Sequence, residues 1–260
     1  MRVRLGNPAL RRMVSNSERY EAIDSPAATY KGVYLKAALY AALTIIAAVA
    51  TEFILLWSFA NGYIEQALII IGIAFAACGI PTLVIALVIA FVPSTAKVLG
   101  CIYAVLQGGS LGVLALFVDI FFPGIAFAAF LGTALVFLVA IVVNSVFKVR
   151  ISSRFVRGLM VALFCLLAVQ LVMWVLSLFT GFDYTTYMWI QIVISSLCII
   201  WATVMIFWDL QNVDYLVQSG ADKKYEWNVA FSLVTTLIYL YVEILELLVR
   251  IAALFSNNRR

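Results

Sequence analysis

The sequence contains no histidine. That absence excludes Ser–His–Asp hydrolytic chemistry and His-containing zinc sites. It also removes the side chain that ordinarily titrates near neutral pH, so a response to pH would have to come from carboxylates. Charge is scarce too: 12% of the 260 residues are Asp, Glu, Lys or Arg, against 65% hydrophobic. An ordinary soluble domain is about a quarter charged. The four cysteines, Cys78, Cys101, Cys165 and Cys198, stand singly in apolar surroundings without CxxC spacing and read as small core residues. No cleavable signal is visible, because the first 36 residues are polar and the first apolar run is too long for an h-region. No GxGD sequence occurs, which argues against an intramembrane aspartyl protease. The chain is expected not to be an enzyme and to need no cofactor.

What is present is a series of apolar runs near 37–60, 67–92, 98–118, 125–147, 159–179, 187–208 and 228–255. Each is close to the roughly 20 residues that cross about 30 Å of hydrocarbon as a helix. The polar–apolar alternation of a membrane barrel is missing. The expected fold is an all-α integral membrane protein, a seven-transmembrane-helix bundle. A cytoplasmic arm occupies 1–36, the transmembrane domain 37–255 and a short tail 256–260.

Basic residues set the orientation. The arm holds Arg2, Arg4, Arg11, Arg12, Arg19, Lys31 and Lys36. The loops after segments two, four and six add Lys97, the tetrad Lys148, Arg150, Arg154 and Arg157, and the pair Lys223 and Lys224. The alternate loops hold none, so the arm and the even loops are expected in the cytoplasm and the C-terminus outside. Arg259 and Arg260 weakly oppose this. The outer loops hold Glu65, Asp119 and Asp183, with Glu52 nearby, either as solvated charge or as a mildly acidic vestibule that gathers cations.

Pro81, two residues after Gly79, is expected to kink segment two. Gly108 and Gly112 give segment three a small face for close helix contact. Gln107 beside them is either a packing residue or a pore-lining one.

The last segment carries the chemistry. Ser232, Thr236, Tyr239, Glu243, Glu246 and Arg250 are spaced 4, 3, 4, 3 and 4, which puts them on one helix face. Lipid cannot face such a stripe, so it must turn to protein or water, most simply with helix seven central. Glu246 and Arg250 have the favourable order for an i,i+4 ion pair. Glu243 is left either as a hydrogen-bonded neutral acid or as a titrating group. At the end of segment six lies Asp209. If that helix continues, its carboxylate turns inward where the last helix enters. Two carboxylates sharing a water-poor site would compete for protons and titrate as a unit.

The run FWDLQ, with Asp209 and Gln211, followed by LYVEILELLVRI, with Leu240-Tyr241-Val242-Glu243, resembles the Bax inhibitor-1 family. The stretches NPALRR, IYAVLQGGSLG and FFPGIAFAAFLGTALVF are similar to a bacterial branch of that family. The resemblance implies six helices around a seventh and a pH-dependent calcium leak, with Asp209 and Glu243 as paired sensor acids and passing calcium ligands. Tyr239, Glu246, Arg250 and Gln107 would support them. It also implies a link to membrane quality-control proteases. Two departures stand out: the second sensor acid is glutamate where aspartate is frequent, and segment two has no arginine to latch the pair. The expected partners are membrane lipid, calcium, protons and, in a regulatory reading, another membrane protein; nothing points to nucleic acid. A bacterial inner membrane is the expected location. A regulatory membrane protein and a proton-coupled cation exchanger stand as alternatives.

Overall fold

The computed structural model describes residues 27–179 and 184–257. Expectations resting on Arg2, Arg4, Arg11, Arg12, Arg19, Asp183, Arg259, Arg260 and the stretch NPALRR lie outside those residues, as do the side chains of Cys78 and Tyr184. Among the described residues there are eight α-helices: α1 (Tyr30–Ala60), α2 (Ile64–Cys78), α3 (Ile80–Phe91), α4 (Ala96–Phe121), α5 (Ile125–Phe147), α6 (Ser153–Phe179), α7 (Tyr184–Gln218) and α8 (Glu226–Asn257). Five spans are long and apolar enough to cross a membrane: α1, α4 with the turn before it, α5, residues 153–173 of α6 and residues 187–218 of α7. The protein is an all-α integral membrane protein. The remaining long helix, α8, has 32 residues but carries Glu243, Glu246 and Arg250 within its apolar length.

The second apolar segment, expected as one kinked helix, is two helices of 15 and 12 residues. Gly79 parts them at φ −79°, ψ −113°. Pro81 has no N–H to give, and its ring crowds the carbonyl four residues back, so a helix cannot run straight through it. The break is partly sealed, because the Thr82 hydroxyl and the Leu83 N–H donate to the Gly79 carbonyl at 3.1 and 3.3 Å.

Helices also begin and end beyond the apolar runs. Hydropathy marks the hydrocarbon crossing, whereas caps mark the helix. Thr29 caps α1 by accepting the Gly32 N–H at 3.0 Å, eight residues before the apolar edge at 37. α7 continues nine residues past Asp209.

The described chain forms two compact units, with α7 and α8 contributing residues to both. One comprises residues 27–121 and 212–234. Its centre is the contact of α4 on α1, where a Cβ on Gly108 would strike the Thr44 carbonyl and one on Gly112 the Ala48 carbonyl. The expected close-contact face is therefore real, and its partner is α1. Tyr40 donates to the Ala96 carbonyl at 2.6 Å and packs edge-on against Trp227 and Phe231. In the same unit Glu226, fully buried, accepts from the Thr29 N–H at 2.8 Å and pairs with Lys36 at 2.5 Å; the Lys36 ammonium also lies 4.9 Å above the Trp227 ring.

The other unit comprises residues 122–211 and 235–257 within the described chain. The Trp201 indole ties α7 to α6 through the Leu159 carbonyl at 2.9 Å. Gly132 of α5 lies against Ile244 of α8.

Candidate ion-pathway site on the last two helices

Within this second unit α7 and α8 face one another antiparallel. α7 presents Gln191, Ser195, Cys198, Ala202, Met205 and Asp209, all buried and spaced 4, 3, 4, 3 and 4. α8 presents Thr236, Tyr239, Glu243, Glu246 and Arg250 of its polar stripe at the matching spacing of 3, 4, 3 and 4. Two such seams mesh with helices about 20° from antiparallel. A polar seam of this kind is stable in a membrane only because each helix shields the other from lipid.

At one end sits Asp209, 1% exposed, whose Oδ2 accepts the Thr236 hydroxyl at 2.6 Å. The helix does run on past Asp209 and does turn it inward. Gln211, two residues on, points elsewhere: its amide pairs with both backbone groups of Ile151, at 2.8 and 3.3 Å.

Glu243 lies seven residues beyond Thr236, about 10 Å farther along α8 at 1.5 Å per residue. Its neighbours are Tyr239, Glu246, Arg250 and Cys198. Asp209 thus bonds Thr236, and Glu243 has the Tyr239–Arg250 group about it. The Tyr239 hydroxyl is buried between the Cys198 thiol and Glu243 without completing a hydrogen bond of ordinary geometry to either. Its ring packs edge-on against Trp201 at 5.5 Å.

At the far end Arg250 is a cross-brace. One guanidinium nitrogen donates to Glu246 at 2.5 Å, the expected i,i+4 pair. The other donates to α7, to the Gln191 carbonyl at 3.3 Å and to the Ser195 hydroxyl. The Gln191 side-chain oxygen is buried with no hydrogen-bond partner. With all three ionised, Glu243, Glu246 and Arg250 would together carry one negative charge in excess, a group that favours a proton or a passing cation. Among the described residues no group of three or more His, Cys, Asp or Glu is placed to hold a metal ion.

Gln107 is not part of this seam. With Gly79, Thr82 and Tyr103 it lines an open-sided cavity of about 540 Å³ beside the α2–α3 break. Gln191, Ser195 and the role of Thr236 as the Asp209 donor were not singled out from sequence, and Cys198 was read only as core. The 4-3-4-3-4 spacing that ends at Asp209 was the available signal.

The family profile described as Bax inhibitor 1 like matches residues 7–253, nearly the whole chain. The chain belongs to the Bax inhibitor 1-like family. Both features of this Bax inhibitor 1-like seam, the Asp209–Thr236 link and the Glu243 group, fall inside the matched region. Comparison with curated proteins and with solved structures gives no match.

Proposed function

We propose that this Bax inhibitor 1-like protein is a cation leak, with calcium as the transported ion, whose conductance responds to protonation of Asp209 and Glu243. It crosses the membrane seven times, α2 and α3 together making one crossing, with the N-terminus cytoplasmic and the C-terminus outside; the positive tetrad and Lys223–Lys224 support that orientation. A bacterial inner membrane is the proposed location.

The observation that carries the reading is a buried carboxylate on α7, a helix long and apolar enough to cross a membrane, tied to a hydroxyl on α8. Ionisable groups at such depth are costly and mark ion or proton pathways. Protonating Asp209 turns a charge-assisted bond into an ordinary one, which loosens the α7–α8 link at that point. Protonating Glu243 removes the excess negative charge of the Arg250 group. Calcium prefers hard oxygen ligands, and these two carboxylates and the hydroxyls beside them meet it in passing rather than as a resident site.

The test is calcium flux into proteoliposomes across pH 5 to 8. Asp209→Asn and Glu243→Gln should each flatten the pH dependence of the flux. Unchanged profiles in both variants would remove the sensor. Two buried acids on neighbouring helices also suit a proton-coupled cation exchanger. Flux that stops when no proton gradient can be dissipated would favour that second reading.

A further inference from the structure

We propose that the turn joining α5 to α6, with the first turns of α6, is a binding site for one anionic phospholipid. Its phosphate is held by Arg150, Arg154 and Arg157 with Lys148, and an acyl chain lies along the exposed face of α6. Nothing in this inference depends on ion transport.

Charge comes first. Lys148, Arg150, Arg154 and Arg157 are all exposed, and among the described residues none forms an ion pair. No Asp or Glu occurs anywhere between Asp119 and Asp183, so no acid in this stretch of chain can neutralise them. The Arg157 Nε–H donates to the Ser153 carbonyl of its own helix at 3.3 Å, leaving its remaining guanidinium donors outward.

The turn is built rather than loose. Lys148 ends α5 in the left-handed region at φ 46°, the one non-glycine residue with positive φ among those described. Gln211 then grips both the N–H and the carbonyl of Ile151. Ser152 caps α6, its hydroxyl accepting the Phe155 N–H at 3.2 Å. A helix start bearing guanidinium groups suits a phosphate, which arginine can grip through two parallel N–H bonds.

The third observation is the face below. Arg154, Arg157, Val161, Phe164, Ala168 and Leu171 follow spacings of 3, 4, 3, 4 and 3 and are all exposed; Val161, Phe164 and Leu171 are 63%, 70% and 62% exposed. The two arginines thus crown an apolar stripe, at the height where a phospholipid's headgroup meets its chains. α6 is also the least covered of the five long spans, with 6% of its apolar stretch buried. A second copy of the chain docking on this same face would bring four cations against four, whereas an anionic lipid neutralises them.

The experiment uses the full chain in mixed micelles of neutral detergent, with dioleoyl phosphatidylglycerol or dioleoyl phosphatidylcholine as probe and inorganic phosphate as a third arm, and counts retained lipid by native mass spectrometry. The wild type should retain phosphatidylglycerol well above phosphatidylcholine, and inorganic phosphate should not compete at equal concentration. Arg154→Gln with Arg157→Gln should weaken retention about twenty-five-fold, at about fivefold per charge removed. Lys97→Gln, which removes a cation elsewhere, should leave it unchanged. Gln211→Leu keeps all four charges and should still weaken retention, because the turn loses its clamp. Equal retention of the two lipids, full competition by inorganic phosphate, unchanged retention in the double-arginine variant, or an equal loss in Lys97→Gln would each overturn the site. The arginines are exposed, so their variant remains informative even where Gln211→Leu fails to fold.

Discussion

At the scale of single residues, the structure ties Asp209 to the Thr236 hydroxyl and surrounds Glu243 with Tyr239, Glu246, Arg250 and Cys198. Asp209 depends on Thr236, and that dependence can be measured. Thr236→Val removes that hydroxyl and with it this link from the carboxylate to α8. The pH profile of the flux should therefore change in Thr236→Val, while Thr236→Ser should keep it in place. A second residue-scale test concerns Glu226, fully buried and paired with Lys36. Removing one partner of a buried pair costs about 3–5 kcal/mol because the other charge is stranded. Lys36→Met should lower the stability measured by unfolding in detergent by that amount, and adding Glu226→Leu should recover at least half of it.

At the scale of elements, contacts are set by what is small. Gly108 and Gly112 let α4 lie on the backbone of α1, whereas a Cβ on Gly109 would meet only the Thr51 hydroxyl oxygen at 3.5 Å, an ordinary distance. Overpacking a tight contact costs about 1–3 kcal/mol. Gly112→Ala should therefore lower the unfolding midpoint in detergent, and Gly109→Ala, one turn face away, should leave it nearly unchanged. The same reasoning explains α2 and α3. Apolarity alone makes 67–92 look like one crossing, but Gly79 and Pro81 together leave the backbone no continuous ladder. On α7 the opposite holds. The helix runs through a polar end because its seam, from Gln191 to Asp209, is covered by α8.

At the scale of the whole molecule, the proposed topology makes a direct prediction. In a variant lacking its four native cysteines, a cysteine at Asn61, between α1 and α2, should react with an impermeant thiol reagent added outside intact cells. A cysteine at Ser219, between α7 and α8, should react only after the membrane is opened. The reverse pattern would invert the proposed orientation. Both positions are exposed, so access rather than burial decides the result.

Composition and period were enough to establish helices in a membrane, the polar stripe of α8, the Glu246–Arg250 pair and the small face of α4. Each follows from residues three or four apart on one helix, or from the cost of placing charge in hydrocarbon, and both are local properties of the chain. The sequence could also name Asp209 and Glu243 as the acids to watch. Their partners were decided only in three dimensions. Whether Asp209 meets Thr236, whether Arg250 reaches Ser195 across the seam, and whether Gln211 grips Ile151 depend on the register of one helix against another. That register is fixed by side-chain volumes along the whole contact, a sum that no short window of sequence contains.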